Sequence, residues 1–124
     1  MKKKPMLLYV DDEPINLMLF EANFKQNYTV ITAESGIIGL EKLYSNNEFV
    51  VVISDMKMPE MNGIEFITLA KKEFPNIAYY ILTGYDITQE ISEALKNKLI
   101  FRYFRKPFNL KEIEDAIIEA LAGE

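Results

Sequence analysis

Phe49-Val50-Val51-Val52-Ile53-Ser54-Asp55-Met56-Lys57-Met58-Pro59 begins as a continuous apolar run and stops at a carboxylate. β-Branched residues in such a run, closed by a turn, predict a strand buried on both faces at the centre of a parallel sheet. In open parallel α/β sheets, ligands bind in the crevice beyond the carboxyl ends of the strands. Asp55 falls at such an end. A lone Asp there is as often a solvated turn opener, so its meaning depends on what the other strands deliver beside it.

Four more runs read the same way. Met6–Val10 is apolar and ends in Asp11-Asp12-Glu13; Pro14 then suits the first position of a helix, where its missing N–H is not needed. Leu17, Phe20 and Phe24 give that helix one apolar stripe. Tyr28–Ala33 is β-rich, and Ser35 is the expected N-cap of a helix carrying Ile37, Leu40, Leu43 and Tyr44 inward, with Gly36 and Gly39 lowering its propensity. After Asp55, a loop by composition leads to Asn62 and Glu65, spaced as a capping box for a helix from Gly63 with Ile67, Ala70 and Phe74 on its stripe, ended by Pro75. Ile77–Leu82 runs into Thr83-Gly84-Tyr85. Asp86 with Gln89 predicts the next box, Ile91, Ala94 and Leu95 its inner face, and Asn97 a left-handed stop. Ile100–Arg105 is a fifth strand ending at Lys106-Pro107. Asn109 with Glu112 opens the last helix, inner face Ile113, Ala116, Ile117, Ala120 and Leu121.

Strand followed by helix, five times over, predicts an α/β domain: a doubly wound five-stranded parallel sheet with helices on both faces. No composition shift or linker divides the 124 residues, so one domain over 1–124 without an output domain is expected. The chain contains no Cys and no His. That removes thiol nucleophiles, zinc–thiolate sites, imidazole general bases and the Ser-His-Asp triad. A net charge of -5 disfavours a general nucleic-acid binder. The apolar runs fall far short of the ~20 residues that a membrane helix needs, so an intracellular domain is expected.

In a parallel sheet all carboxyl ends share one edge. Asp11, Asp12, Asp55, Thr83 and Lys106 therefore project towards one rim. Three crowded carboxylates repel, and without compensation one of them is protonated at neutral pH. A hard divalent cation resolves this, and Mg²⁺ prefers one or two carboxylates, waters and often a phosphate. Thr83 and Lys106 can hydrogen-bond and neutralise phosphate oxygens. A carboxylate can itself be a nucleophile towards phosphorus. The rim reads as a phosphoryl acceptor or a phosphohydrolase.

Asp11-Asp12-Glu13-Pro14, the stretch Asp55 to Gly63, Thr83-Gly84 and Lys106-Pro107-Phe108 together resemble the response regulator receiver domain, the phospho-acceptor module of two-component signalling. The matching pieces run from end to end of the chain. The resemblance implies a flavodoxin-like fold with strand order 2-1-3-4-5. It implies that Asp55 accepts a phosphoryl group from a histidine kinase or histidine phosphotransfer protein. Mg²⁺ (or Mn²⁺) would be held by Asp12, Asp55 and the backbone carbonyl of Lys57, with Asp11 acting mainly through a metal-bound water. Lys106 would pair with phosphate oxygens, Thr83 and the Gly84 N–H would hydrogen-bond the phosphoryl group, and Tyr103 would be the aromatic switch. The fourth helix, fifth strand and fifth helix would form the signalling face, which permits a phosphorylation-linked homodimer. A cytoplasmic switch, with no direct nucleic-acid binding and no membrane contact, is implied rather than an enzyme.

The chain departs from the family pattern in places. Asn97-Lys98-Leu99-Ile100 stands where many members carry a Gly-Ala pair, and Arg102 and Arg105 make the fifth strand unusually cationic. Lys57 and Tyr85 occupy positions that tune phosphoryl lifetime in the family; a bulky Tyr85 is expected to shield the acyl phosphate from water. Two alternatives remain open. A haloacid-dehalogenase-like phosphohydrolase would typically carry an acid two residues after its nucleophile, where this chain has Lys57. An interaction module that no longer uses its site would not need the full set of acids, Thr83 and Lys106.

Overall fold

Every strand in this chain is short, and each stops where its apolar run meets polar or charged residues. The computed structural model describes residues 3–84 and 86–123. Along them run β1 (Met6–Val10), α1 (Pro14–Phe24), β2 (Thr29–Ala33), α2 (Gly36–Ser45), β3 (Phe49–Ser54), α3 (Gly63–Glu73), β4 (Ala78–Thr83), α4 (Gln89–Lys96), β5 (Arg102–Arg105) and α5 (Leu110–Ala122). The strands form one sheet in the order β2-β1-β3-β4-β5, and every pairing is parallel.

Side-chain alternation along the strands splits the core in two. Leu8, Val10, Val52, Tyr79 and Ile81 point to the face covered by α2, α3 and α4, where Leu43, Phe66, Ile67 and Ile91 meet them. Leu7, Tyr9, Val51, Ile53, Tyr80 and Phe104 point to the opposite face, against Leu17, Phe20 and Phe24 of α1 and Ile113, Ala116 and Ile117 of α5. The α1 and α5 stripes are therefore as the helical spacing predicts, with Ala120 and Leu121 at the edge of the packed region. Asn62 and Glu65 form the expected reciprocal capping box. Ser35 accepts from the Ile38 N–H, and Asn109 accepts from the Glu112 N–H.

Four local expectations are corrected. In α2, Ile37 and Tyr44 are exposed, and Gly36 and Gly39 are buried beside Leu43. The helix lies so close to α3 that a Cβ on Gly39 would stand 2.9 Å from the Phe66 ring, and one on Gly36 would stand 2.7 Å from the Met61 sulfur. Close approach, not apolar area, selects the inner face there. In α4, the cap is Thr88, which accepts from the Ile91 N–H; Asp86 instead pairs with Arg105 at 2.6 Å. The stop after α4 uses Lys98, with φ 60°, as its left-handed residue, while Asn97 has φ -86°. β5 is also shorter than its apolar run, because Ile100 is buried ahead of the strand while Phe101 lies exposed.

The turn that follows β3 is closed by backbone contact at Gly63. The Gly63 N–H donates to the Met56 carbonyl at 2.8 Å. A Cβ on Gly63 would stand 2.3 Å from the Asp55 carbonyl oxygen and 2.8 Å from Ile81 Cδ1. Backbone cannot yield as a side-chain tip can, so any larger residue must displace α3 or the Asp55 loop. Gly63→Ala is expected to lower stability by about 2 kcal/mol or more, from overpacking. Gly84→Ala, where a Cβ meets nothing within 4 Å, should change it by less than about 0.5 kcal/mol. Urea unfolding of the two variants compares them; equal midpoints would contradict this account of the turn.

Candidate functional site

β1 and β3 are paired with Val10 opposite Ser54. The next residues on each strand are Asp11 and Asp55, which leave the sheet side by side. The Asp11 N–H donates to the Ala33 carbonyl and the Asp55 N–H to the Val10 carbonyl, so both backbones are still held as the strands end. Both carboxyl groups are buried, Asp11 with no exposed surface and Asp55 with 6%. Asp12 points to a more open position. One carboxylate oxygen from each of Asp11, Asp12 and Asp55 lies within 4.8 Å of the others.

Lys106 enters from β5. Its Nζ donates to Asp11 Oδ2 at 2.8 Å and lies 3.4 Å from Asp55 Oδ2, the second contact being an ion pair rather than a short hydrogen bond. The Lys106–Pro107 peptide is cis. Two groups that the sequence analysis did not assign to the rim complete it. The Tyr9 hydroxyl donates to Asp11 Oδ2 at 2.7 Å, and the Ser54 hydroxyl donates to the Asp55 carbonyl at 2.8 Å. Tyr9 was legible in principle: it sits two residues before Asp11 on a buried strand, hence on the same face, and a buried Tyr hydroxyl needs a partner. The Glu13 N–H fills Asp11 Oδ1 at 3.0 Å, and the Met56 N–H fills Asp55 Oδ1 at 2.8 Å. No buried side-chain nitrogen or oxygen among the described residues lacks a partner.

The electrostatics follow from this crowding. Burial pushes the Asp55 carboxyl up to about 6; Lys106 opposes the shift and Asp11 adds to it. Burial alone would lower the Lys106 ammonium, but its hydrogen bond to Asp11 and the charges of Asp55 and Asp11 outweigh that, and it is held above its usual value. Burial, then the Asp11 carboxylate, drives the Tyr9 phenol far above its ordinary range, so it stays a donor.

Thr83 ends β4 fully buried, and its carbonyl accepts the Lys106 N–H at 2.8 Å. Gly84 is exposed at the open rim, and Lys57 lies in the exposed part of the loop two residues past Asp55. Tyr103 is half-buried on β5 and packs with the α3–α4 side of the core. β4 and β5 pair Ile81 with Tyr103 and Thr83 with Arg105. Thr83 and Tyr103 thus share one face as diagonal neighbours, within reach of an aromatic side chain. Tyr85 lies outside the described residues. The extra cations of β5 are matched within the chain, Arg102 to Glu119 at 2.9 Å and Arg105 to Asp86 at 2.6 Å. Both pairs are exposed, and such pairs add little stability.

This is a carboxylate pocket with one ammonium, built at the carboxyl edge of a doubly wound sheet. The sequence model of the response regulator receiver domain matches residues 7–118, and the chain belongs to that family of two-component signalling domains. It is 34% identical over 112 residues to the sporulation initiation phosphotransferase F of Bacillus subtilis (strain 168), covering 90% of this chain and 89% of that protein. It is 36% identical over 124 residues to the transcriptional regulatory protein GlrR of Escherichia coli (strain K12), covering 98% of this chain and 27% of that protein. The chain therefore spans about a quarter of the length of that relative. A crystal structure of a response regulator receiver domain protein from Clostridium thermocellum superposes with a TM-score of 0.84 at 32% identity, over 94% of each chain. Among the described residues, no helix is long and apolar enough to cross a membrane.

An all-oxygen set of three carboxylates, two of them buried, suits a hard divalent cation better than a soft one. Without a cation the set is under strain at neutral pH. The sign follows from the raised Asp55 value: between about pH 4 and 6 the folded state binds more protons than the unfolded chain, so stability falls as pH rises through that window. Asp55→Asn is expected to stabilise the metal-free protein by about 2–3 kcal/mol at pH 7.5, because charging a carboxyl held near 6 costs the folded state that much relative to the unfolded chain, and by much less at pH 4. Urea unfolding in EDTA at the two pH values measures this; a variant less stable than wild type at pH 7.5 would contradict it.

Proposed function

We propose that this chain is a phospho-accepting signalling switch, a single receiver domain over residues 1–124, in which Asp55 is the phosphorylated residue. The observation that carries the reading is the shared Lys106 ammonium, 2.8 Å from Asp11 and 3.4 Å from Asp55. One ammonium thus lies within reach of the oxygens that a phosphoryl group on Asp55 would carry.

A carboxylate oxygen of Asp55 attacks the phosphorus of a phosphohistidine. An O–P bond forms, the N–P bond breaks, and its electron pair returns to the donor imidazole, which takes up a proton. The chain holds no histidine, so the donor lies outside these residues, on a histidine kinase or histidine phosphotransfer protein. Such a transfer needs placement and charge neutralisation more than covalent help. Mg²⁺ (or Mn²⁺), held by Asp12, Asp55 and the Lys57 carbonyl with Asp11 in its outer sphere, would supply the remaining positive charge for the phosphoryl oxygens.

Lys106 turns to one phosphoryl oxygen; the Thr83 hydroxyl and the Gly84 N–H bind others. Thr83 moving towards Asp55 vacates space on its own face of the sheet, and Tyr103, its diagonal neighbour, fills it. The result reaches the surface of α4, β5 and α5, which is the site for effector docking or pairing of two phosphorylated copies. Each charge-assisted hydrogen bond contributes about 1.5–3 kcal/mol. Two or three of them suffice to invert a two-state equilibrium, which takes about 5.5 kcal/mol from 1:99 to 99:1. The role is that of a switch that assists its own phosphorylation and dephosphorylation, with no multiple-turnover substrate.

Two measurements test this reading. Labelling with radioactive acetyl phosphate and Mg²⁺ is expected to mark wild type and to be abolished in Asp55→Asn; label persisting in the variant removes the assignment. Mg²⁺ at ~100 times its Kd should raise the unfolding free energy of wild type by about 2.7 kcal/mol. No rise with added Mg²⁺ counts against the cation site.

A further inference from the structure

Asp11 is held by three donors. Its Oδ2 receives two, the Tyr9 hydroxyl at 2.7 Å and Lys106 Nζ at 2.8 Å, while the Glu13 N–H occupies Oδ1 at 3.0 Å. Asp11 has no exposed surface, so these bonds within the protein carry its charge. A buried carboxylate left short of partners is costly, more so than a neutral group. Lys106 is also the ion-pair partner of Asp55, and any anion on Asp55 draws the ammonium away from Asp11.

The Tyr9 hydroxyl is rigidly aimed. The side chain is 1% exposed, its ring stacks on Phe20 with centroids 4.2 Å apart and planes 14° from parallel, and the i, i+2 spacing puts it on the same face as Asp11. It can hold Asp11 Oδ2 whether or not Lys106 is there.

We infer that Tyr9 is a positioning residue that keeps Asp11 satisfied, and so frees Lys106 to turn from Asp11 to an anion bound at Asp55. This deepens the phospho-acceptor reading and rests on it. Without the hydroxyl, Asp11 Oδ2 leans on Lys106, and the anion at Asp55 must compete with a buried carboxylate for the same ammonium. A cation alone brings no new anion for Lys106, so this competition arises only when an anion binds at Asp55. The larger Tyr9 effect therefore belongs to the anion step.

The test uses Tyr9→Phe, which keeps the ring on Phe20 and removes only the hydroxyl. Affinity for Mg²⁺ alone is read by isothermal titration calorimetry, and affinity for beryllofluoride, a phosphoryl mimic, by ¹⁹F NMR with Mg²⁺ saturating. Expected is a loss of roughly tenfold or more for beryllofluoride, the size of one hydrogen bond to a charged group, and a clearly smaller loss for Mg²⁺ alone. Equal beryllofluoride affinities overturn the inference, as does an equal loss in both titrations, which marks a merely structural role. In wild type, ¹H NMR should find the Tyr9 hydroxyl proton protected from exchange before and after beryllofluoride addition. Loss of that protection in the complex also overturns the inference, whatever the variant's stability. If wild type with Mg²⁺ fails to bind beryllofluoride at all, the phospho-acceptor reading falls together with this one; if it binds and the variant binds equally, only the role of Tyr9 falls.

Discussion

Asp11 and Asp55 are forced together out of water by the pairing of β1 with β3, and the sheet offers them one ammonium between them. Two unit charges about 5 Å apart repel by roughly 3–4 kcal/mol at an effective dielectric constant of 20. Burial costs more still, and the Asp55 carboxyl is pushed up to about 6. A site of this kind is loaded before anything binds. A cation or a second positive partner would be stabilised there because it relieves a conflict that the fold maintains.

The conflict is maintained by parts distant from the charges. The α3 N-terminus sits on the Asp55 carbonyl through Gly63, with its capping box fixing where the helix begins. Ser54 donates to that same carbonyl from below. Phe20 of α1 holds the Tyr9 ring, and through it Asp11. These contacts leave the two acids little room to move apart, which would otherwise be the simplest way to relax.

The sheet also divides the site into two compartments. Tyr9, Asp11, Asp55 and Lys106 follow the strand parity of the α1–α5 face, whereas Thr83 and Tyr103 follow that of the α3–α4 face. The carboxyl edge of β4 is where the two meet, since the Thr83 carbonyl takes the Lys106 N–H. The proposed relay from Asp55 to Tyr103 would cross from one face to the other at that edge. The exposed cations of β5 pair within the chain, Arg102 with Glu119 and Arg105 with Asp86.

Much of this was legible in the residues. Five apolar runs, each closed by a turn and followed by helical periodicity, determined the parallel sheet, and with it the convergence of Asp11, Asp12, Asp55, Thr83 and Lys106 on one edge. Local chemistry such as the Asn62–Glu65 box could be read because both partners lie within one helical turn. The inner face of α2 could not, since Gly36 and Gly39 read as weak helix formers until Phe66 and Met61 are seen against them. The α4 cap was misread because Asp86 and Thr88 are equally good caps locally, and a distant Arg105 claims Asp86. Tyr9 read as one more buried strand residue, because hydrophobic pattern records how much surface a side chain hides and not where its hydroxyl points. By itself the sequence determined which groups reach the rim, since the period of a strand and the common direction of a parallel sheet require it. Only the tertiary structure decided how one lysine is divided between two buried acids and which hydroxyl steadies the first of them, because those are distances between residues far apart in the chain, set by packing that no local pattern encodes.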